Sequence, residues 1–312
     1  AVVDNVDIKP DVSFTLGNGQ LKNLTLSDDF TSVTNQVIMS DVVITGSATI
    51  NHTLDDKALD GVTVQGEAIV SVTNAFIDMT FEDTLLVTSA SASSTELTIT
   101  NAAFGGDVTV NASGDKLILE GTVSGVSGSQ DILGDGAVDL DGATVNDINF
   151  FVAVTSSNNP SSLEDVQLHA NLTLNQPLTG SGLILVSEVA IDLNAQEFNL
   201  LTGATIEVVT GRTLTIEASS SSGQLIGLGT ANSVSPNSGP VNLVVTGQAV
   251  VDNVDIKPDV SFTLGNGQLK NLTLSDDFTS VTNQVIMSDV VITGSATINH
   301  ALDDKALDGV TV

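Results

Sequence analysis

The sequence predicts an all-β chain wound as a parallel β-helix (β-solenoid) of roughly 20 residues per coil. Three observations carry that expectation: a short corner pattern recurring near that period, a composition rich in strand formers, and a long duplication that resumes without a linker.

The corner pattern is an apolar residue, any residue, then Asn, Asp or Gly, then apolar, any, apolar. It reads Val3-Asp4-Asn5-Val6-Asp7-Ile8, Leu21-Lys22-Asn23-Leu24-Thr25-Leu26, Met39-Ser40-Asp41-Val42-Val43-Ile44 and Leu59-Asp60-Gly61-Val62-Thr63-Val64. Their centres lie 18, 18 and 20 residues apart. Further matches centre on Asn101, Asp147, Asp165 and Gly203, and gaps of 40 and 38 residues read as two periods each. That makes roughly twelve coils in 248 residues. Val72 to Ile77 matches the pattern but not the spacing.

Asn, Asp and Gly are the residues that most readily take the left-handed backbone conformation, so a fixed place for them marks a sharp corner. The apolar, any, apolar run after each corner is a short strand that sends its flanking side chains inward and the middle one out. Coils that turn at such corners and stack at the inter-strand spacing bury a continuous core. A string of β-sandwich domains would instead place strands every 8 to 12 residues or so, with linkers between domains.

Ala249 to Val312 repeats Ala1 to Val64 at 63 of 64 positions, with Thr53 replaced by Ala301. Residues 1–248 therefore form one full repeat unit, and 249–312 begin the next. The pattern passes Val245 to Val251 with no charged or Pro-rich break, so the solenoid is expected to be continuous through the repeat boundary. Neither end carries a polar cap, and the array is expected to continue on both sides.

At 41% apolar residues the chain has enough for a large core, and its Val, Leu, Ile and Thr favour strands. It has no Cys, which excludes disulfides and thiolate chemistry. Eight Lys plus Arg against 38 Asp plus Glu give a formal net charge of −30, so nucleic acid and anionic membrane surfaces are not expected partners. No apolar stretch approaches the roughly 20 residues of a membrane span. Such an acidic surface suits an extracellular, saline setting, where salt screens its self-repulsion.

Candidate chemistry is sparse. His52, His169 and His300 show no paired metal-ligand spacing, and His52 reads as a surface corner residue. No GxSxG elbow is present, and no catalytic or cofactor-binding residue is assigned. Gly134-Asp135-Gly136-Ala137-Val138-Asp139-Leu140-Asp141-Gly142 is the candidate Ca²⁺ segment, since alternating acids and glycines can turn several oxygens toward one cation; Asp28-Asp29 and Asp55-Asp56 are weaker candidates. Arg212 lies at an expected exposed corner. Asn23, Asn51, Asn111, Asn171 and Asn271 open Asn-x-Ser/Thr tripeptides, a pattern that also arises whenever a corner Asn precedes a strand. Thr88 to Thr95, Thr155 to Ser162 and Ala218 to Pro240 break the strand rhythm and read as loops bulging from corners. The outward residues Asp7, Thr25, Val43, Thr63, Ala103, Asn149 and Gln167 form no threonine ladder of the ice-binding kind.

With its corner pattern, its duplication and phrases such as Gly211-Arg212-Thr213-Leu214-Thr215-Ile216, the chain resembles tandem-repeat β-helical surface proteins, including filamentous-haemagglutinin-like adhesins and extracellular filament or stalk proteins. The resemblance implies a secreted rod whose length scales with repeat number, its partners being adjacent repeat units head to tail and, beyond them, neighbouring filaments or surface glycans. Three functions follow as expectations: a structural rod, an adhesin stalk with binding loops, and a polysaccharide-active β-helix enzyme. The enzyme is the poorest fit, because basic residues are scarce and neither Trp nor Tyr is present to stack on sugars.

Overall fold

A computed structural model describes residues 2–9, 19–32, 34, 37–54, 58–89, 94–126, 128–280, 285–302 and 306–312. Among them there is no helix; parallel strands stacked about 20 residues apart wind a β-solenoid of about 14 turns. The chain divides into two compact units, Ala1–Ala153 and Val154–Val312. The repeat boundary lies within the second.

In the first unit most coils combine one long strand, bent at a left-handed residue, with one short strand; at Gly61 the long strand is two, Leu59–Asp60 and Thr63–Val64. Gln20–Leu26 bends at Asn23, Ile38–Ile44 at Asp41, Asn74–Phe81 at Asp78, Glu96–Phe104 at Asn101, Lys116–Gly125 at Gly121 and Ala137–Asn146 at Gly142. The short strands Ala48–Ile50, Ala68–Val70, Leu85–Val87, Val108–Val110, Gln130–Leu133 and Ile148–Phe150 close a third side. Because side chains alternate, every coil drops one residue of each type into the same inward column. Ile44, Val64, Phe81 and Phe104 stack along one such column, and the rings of Phe81 and Phe104 lie 5.8 Å apart at 17°. Phe30, Ala48, Ala68, Leu85, Val108, Ile132 and Phe150 stack along another. Each fully buried Val, Leu or Phe contributes about 1.5–3 kcal/mol relative to exposure, and these ladders hold the coils without any disulfide.

The second unit repeats the scheme with wider corners. Ser161–Leu168 and Leu178–Val186 bend at Asp165 and Gly182; beyond them the bent strand becomes two, such as Glu197–Leu200 and Thr205–Val208 on either side of Gly203. The next coil turns at Ala231, whose φ of 64° is the column's one alanine. Ladder pairing crosses the repeat boundary without interruption, as in Gln224 with Val250 and Leu243 with Phe262.

All eight corner residues read from the sequence have a positive φ. Asn5, Asn23, Asp41 and Gly61 at 57°, 48°, 53° and 64° match their copies Asn253, Asn271, Asp289 and Gly309 at 56°, 49°, 54° and 63°. Identical sequence gives identical corners in the two units. Eight corners in each unit, Asn5 to Gly142 and Asp165 to Gly309, bound seven complete turns apiece.

Several expectations need correction. Asp147 is left-handed but belongs to a different corner, leading into Ile148–Phe150, while Gly121 and Gly142 continue the first column. Val72 to Ile77, which matches the pattern but not the spacing, holds no corner at Asn74, in keeping with its spacing; the left-handed residue of its coil is Asp78. Ala218 to Pro240 is not a bulging loop, because it contains strands Gln224–Gly227 and Ser233–Pro236, which pair with the preceding coil. Thr155 to Ser162 is not a bulging loop either, because only residues 157–160 turn, between strands Ala153–Ser156 and Ser161–Leu168. In both cases Ser and Asn, read as loop formers, occupy ladder and corner positions instead. Residues 90–93, the centre of the remaining loop, lie outside the described residues.

Candidate functional site

The corner column carries side-chain hydrogen bonds between successive coils. The Asn23 side chain donates Nδ2–H to Asp4 Oδ1 at 3.0 Å, and its copy Asn271 donates to Asp252 at 2.8 Å. Asn101 donates to Asp78 at 2.7 Å and accepts the Thr122 N–H at 2.8 Å. Corner side chains thus bond along the stack, each coil to the next. The reason is local: a left-handed Asx residue projects its short polar chain sideways over the neighbouring corner, within reach of N–H groups the bend leaves unpaired.

An open depression of about 310 Å³ lies on this column, lined by Asp78, Thr80, Asn101, Ala103, Thr122 and Ser124 among others. Small outward side chains create it, since Thr80, Ala103 and Ser124 sit in register on successive coils. Its one carboxylate, Asp78, already accepts the Asn101 amide. Such a surface offers hydroxyls and a carboxylate for polar contacts and holds no acid–base pair of the glycosidase type.

The candidate Ca²⁺ segment is split between a bend and a strand, with Asp135 before strand Ala137–Asn146 and Asp139 and Asp141 within it. Asp135 is exposed beside Gly134, whereas Asp139 is buried and pairs with Lys116 on the preceding coil at 2.6 Å. Among the described residues no three acidic or histidine side chains gather around a point where a metal ion would fit. Asp29 accepts the Ser47 N–H at 2.8 Å, and its copy Asp277 accepts that of Ser295 at 2.6 Å, so this pair also braces a corner. Asp55-Asp56 lies outside the described residues.

His52 is exposed at a corner, its Nδ1 2.7 Å from Asn51 Oδ1. The buried Ser32 hydroxyl donates to the same oxygen at 2.9 Å, and Ser280 does so to Asn299 at 2.8 Å. His169 is half-buried, with Nε2 3.3 Å from Gln167 Oε1. Arg212 is exposed after Gly211, as expected. The sequon residues Asn23, Asn51, Asn111, Asn171 and Asn271 are all exposed; the amides of Asn23, Asn111 and Asn271 donate to neighbouring coils.

Two polar anchors escaped the sequence reading. Buried Asn74 accepts the Leu54 N–H at 2.7 Å and donates to the His52 and Val72 carbonyls. Buried Asp115 accepts N–H groups of Thr95, Ser89 and Ala112 at 2.9, 3.1 and 3.1 Å. Only their isolation among apolar inward positions signals them. Among the described residues Asp192 is the one acid with a clear shift: burial raises its pKa, but the Ser219 hydroxyl and the Asn194 and Ser219 N–H groups outweigh burial and hold it below the usual value.

The fold and its corner ladders define a tandem-repeat parallel β-solenoid. No protein-family model matches the chain, and neither a curated protein nor a solved structure is similar to it.

Proposed function

We propose that the chain is a structural segment of a long extracellular protein, whose 248-residue units wind a stiff acidic β-solenoid rod. The observation that carries this reading is the ladder pairing through residue 248, which joins the end of one unit to the start of the next with no linker. Its mechanism is geometric: hydrogen-bonded coils leave no free sheet edge at the junction, and a continuous apolar core resists bending. The net charge of −30 keeps neighbouring rods apart until salt or divalent cations screen it. The adhesin reading depends on projecting loops, and Ala218 to Pro240 is ladder instead. Polysaccharide cleavage lacks a paired acid and base in the depression beside Asp78.

Electron cryomicroscopy of chains with one, two and four repeats tests the rod. Particle length is expected to grow by about 58 Å per repeat at constant width, for about twelve coils at roughly 4.8 Å. Beads joined by flexible necks would overturn the reading.

A further inference from the structure

The five Asn-x-Ser/Thr tripeptides differ in two respects set by the fold: whether the amide nitrogen is committed to a neighbouring coil, and whether the hydroxyl two residues on is locked in a strand. Asn23 and Asn271 are constrained in both, since their amides donate to Asp4 and Asp252 at 3.0 and 2.8 Å, and Thr25 and Thr273 lie in strands Gln20–Leu26 and Thr273–Leu274. Asn111 donates its amide to Thr88 Oγ1 at 3.1 Å. The Asn171 nitrogen is free among the described residues, but Thr173 sits in the middle of strand Leu172–Leu174, which pairs on both sides. Asn51 alone is constrained in neither respect. It follows strand Ala48–Ile50, and Asn51, His52 and Thr53 are all exposed and outside any strand.

The Asn51 amide is held by its oxygen. Buried Ser32 donates its hydroxyl to Asn51 Oδ1 at 2.9 Å and accepts the Asn51 main-chain N–H at 3.0 Å, while His52 Nδ1 lies 2.7 Å from the same Oδ1. Among the described residues nothing accepts from Nδ2. The duplication sets a second amide in the same clamp: Ser280 donates to Asn299 Oδ1 at 2.8 Å and accepts its N–H at 2.9 Å. There Ala301 stands where Thr53 stands in the first copy, so the hydroxyl is gone.

We propose that Asn51 is an N-glycosylation site and that the change from Thr53 to Ala301 leaves its copy Asn299 bare. The sugar donor is an oligosaccharide carried on a lipid pyrophosphate. Asn51 Nδ2 attacks the anomeric carbon of that oligosaccharide: the bond from nitrogen to carbon forms, and the bond from that carbon to the phosphate oxygen breaks. One Nδ2 proton passes to a base of the transferring enzyme, the lipid pyrophosphate leaves, and nothing is oxidised or reduced. The hydroxyl two residues on belongs to the acceptor pattern such enzymes read. Because Nδ2 holds no bond between coils, a glycan there adds solubilising bulk to a corner without unpairing a ladder. The inference rests on the extracellular reading only for the chain to meet this donor.

The test incubates the folded 312-residue chain with a purified single-subunit oligosaccharyltransferase and a lipid-linked oligosaccharide, and maps the product by mass spectrometry of its peptides. The peptide carrying Asn51 is expected to gain the mass of one oligosaccharide, and the peptide carrying Asn299 to gain none. Thr53→Ala abolishes the transfer to Asn51, and Ala301→Thr confers it on Asn299. Both positions are exposed, so the circular dichroism of the two variants stays that of the parent chain. A folded chain that takes no sugar at Asn51, or takes it equally at Asn23 and Asn271, overturns the proposal. Either result leaves the rod standing if particle length still grows with each repeat, whereas beads on flexible necks that carry sugar at Asn51 would overturn the rod and keep the site.

Discussion

Asp165 occupies the space that a side chain on Gly182 would need: a Cβ there would collide with Asp165 Oδ1, the atom that accepts the Leu183 N–H at 2.8 Å. The arrangement recurs at Asp41 under Gly61, Asn101 under Gly121 and Asp289 under Gly309. Where one coil turns on an Asx residue, a glycine above gives its side chain room. Gly182→Ala adds a methyl to a φ of 64° and drives it into the carboxylate, so it is expected to cost about 2 kcal/mol in urea denaturation. Asp165→Ala in the same chain removes the collision but sets a second alanine at a left-handed φ and takes away the acceptor of the Leu183 N–H, so it is not expected to recover the loss.

The same pairing explains what could be read beforehand. Asn23, Asp41 and Asn101 announce themselves because their flanking apolar residues are intact. Gly182 does not, since the preceding inward position is Gly180, where a Cβ would meet Ile184, Phe198 and Leu200 side chains at 2.7–3.0 Å. Ile184 of the same strand and Phe198 and Leu200 of the next coil fill the space of the apolar residue the pattern needs. Gly121 was hidden by Thr122, which follows it where an apolar residue was expected, at a shift in ladder register. Ala231 carries no corner chemistry at all, so backbone geometry alone reveals it. In the candidate Ca²⁺ segment Asp139 and Asp141, two apart on one strand, share a face, and Asp139 there is engaged by Lys116 rather than grouped with other carboxylates.

Ala231 is the weakest residue of its column. An alanine at a φ of 64° bears a cost that Asn bears less, because a short polar chain bonds locally in that conformation. Ala231→Asn is therefore expected to stabilise the chain by about 0.5–1 kcal/mol. A melting temperature that stays level or falls would show that the surroundings of Ala231 exclude a larger side chain.

Asp192 sets a pH dependence. Its folded pKa is below the unfolded value of roughly 3.9, so its stabilising contribution is complete above about pH 4 and is lost as pH falls through the folded pKa. Ser219→Ala removes the hydroxyl that donates at 2.6 Å and is expected to move the Asp192 titration upward, read by carboxyl NMR. Asp192→Asn should flatten the acid limb of the stability curve relative to the parent chain. An unchanged limb would mean that other carboxylates control unfolding in acid.

Asp115 fastens a corner from inside. It is 1% exposed, and its two oxygens accept three main-chain N–H groups, from Ser89, Thr95 and Ala112. Removing the acceptor leaves buried donors unpaired, at roughly 1–3 kcal/mol for each that water does not reach. Asp115→Ala is accordingly expected to cost about 3 kcal/mol. Asp115→Asn keeps one acceptor oxygen and is expected to lose less, because either the Thr95 bond or the Ser89 and Ala112 bonds survive. Hydrogen exchange separates this clamp from a general loss of stability: the amides of Ser89, Thr95 and Ala112 should lose protection first, while that of Val123, on a neighbouring ladder, keeps it. Uniform loss across all four would show that Asp115 supports the whole coil rather than this corner.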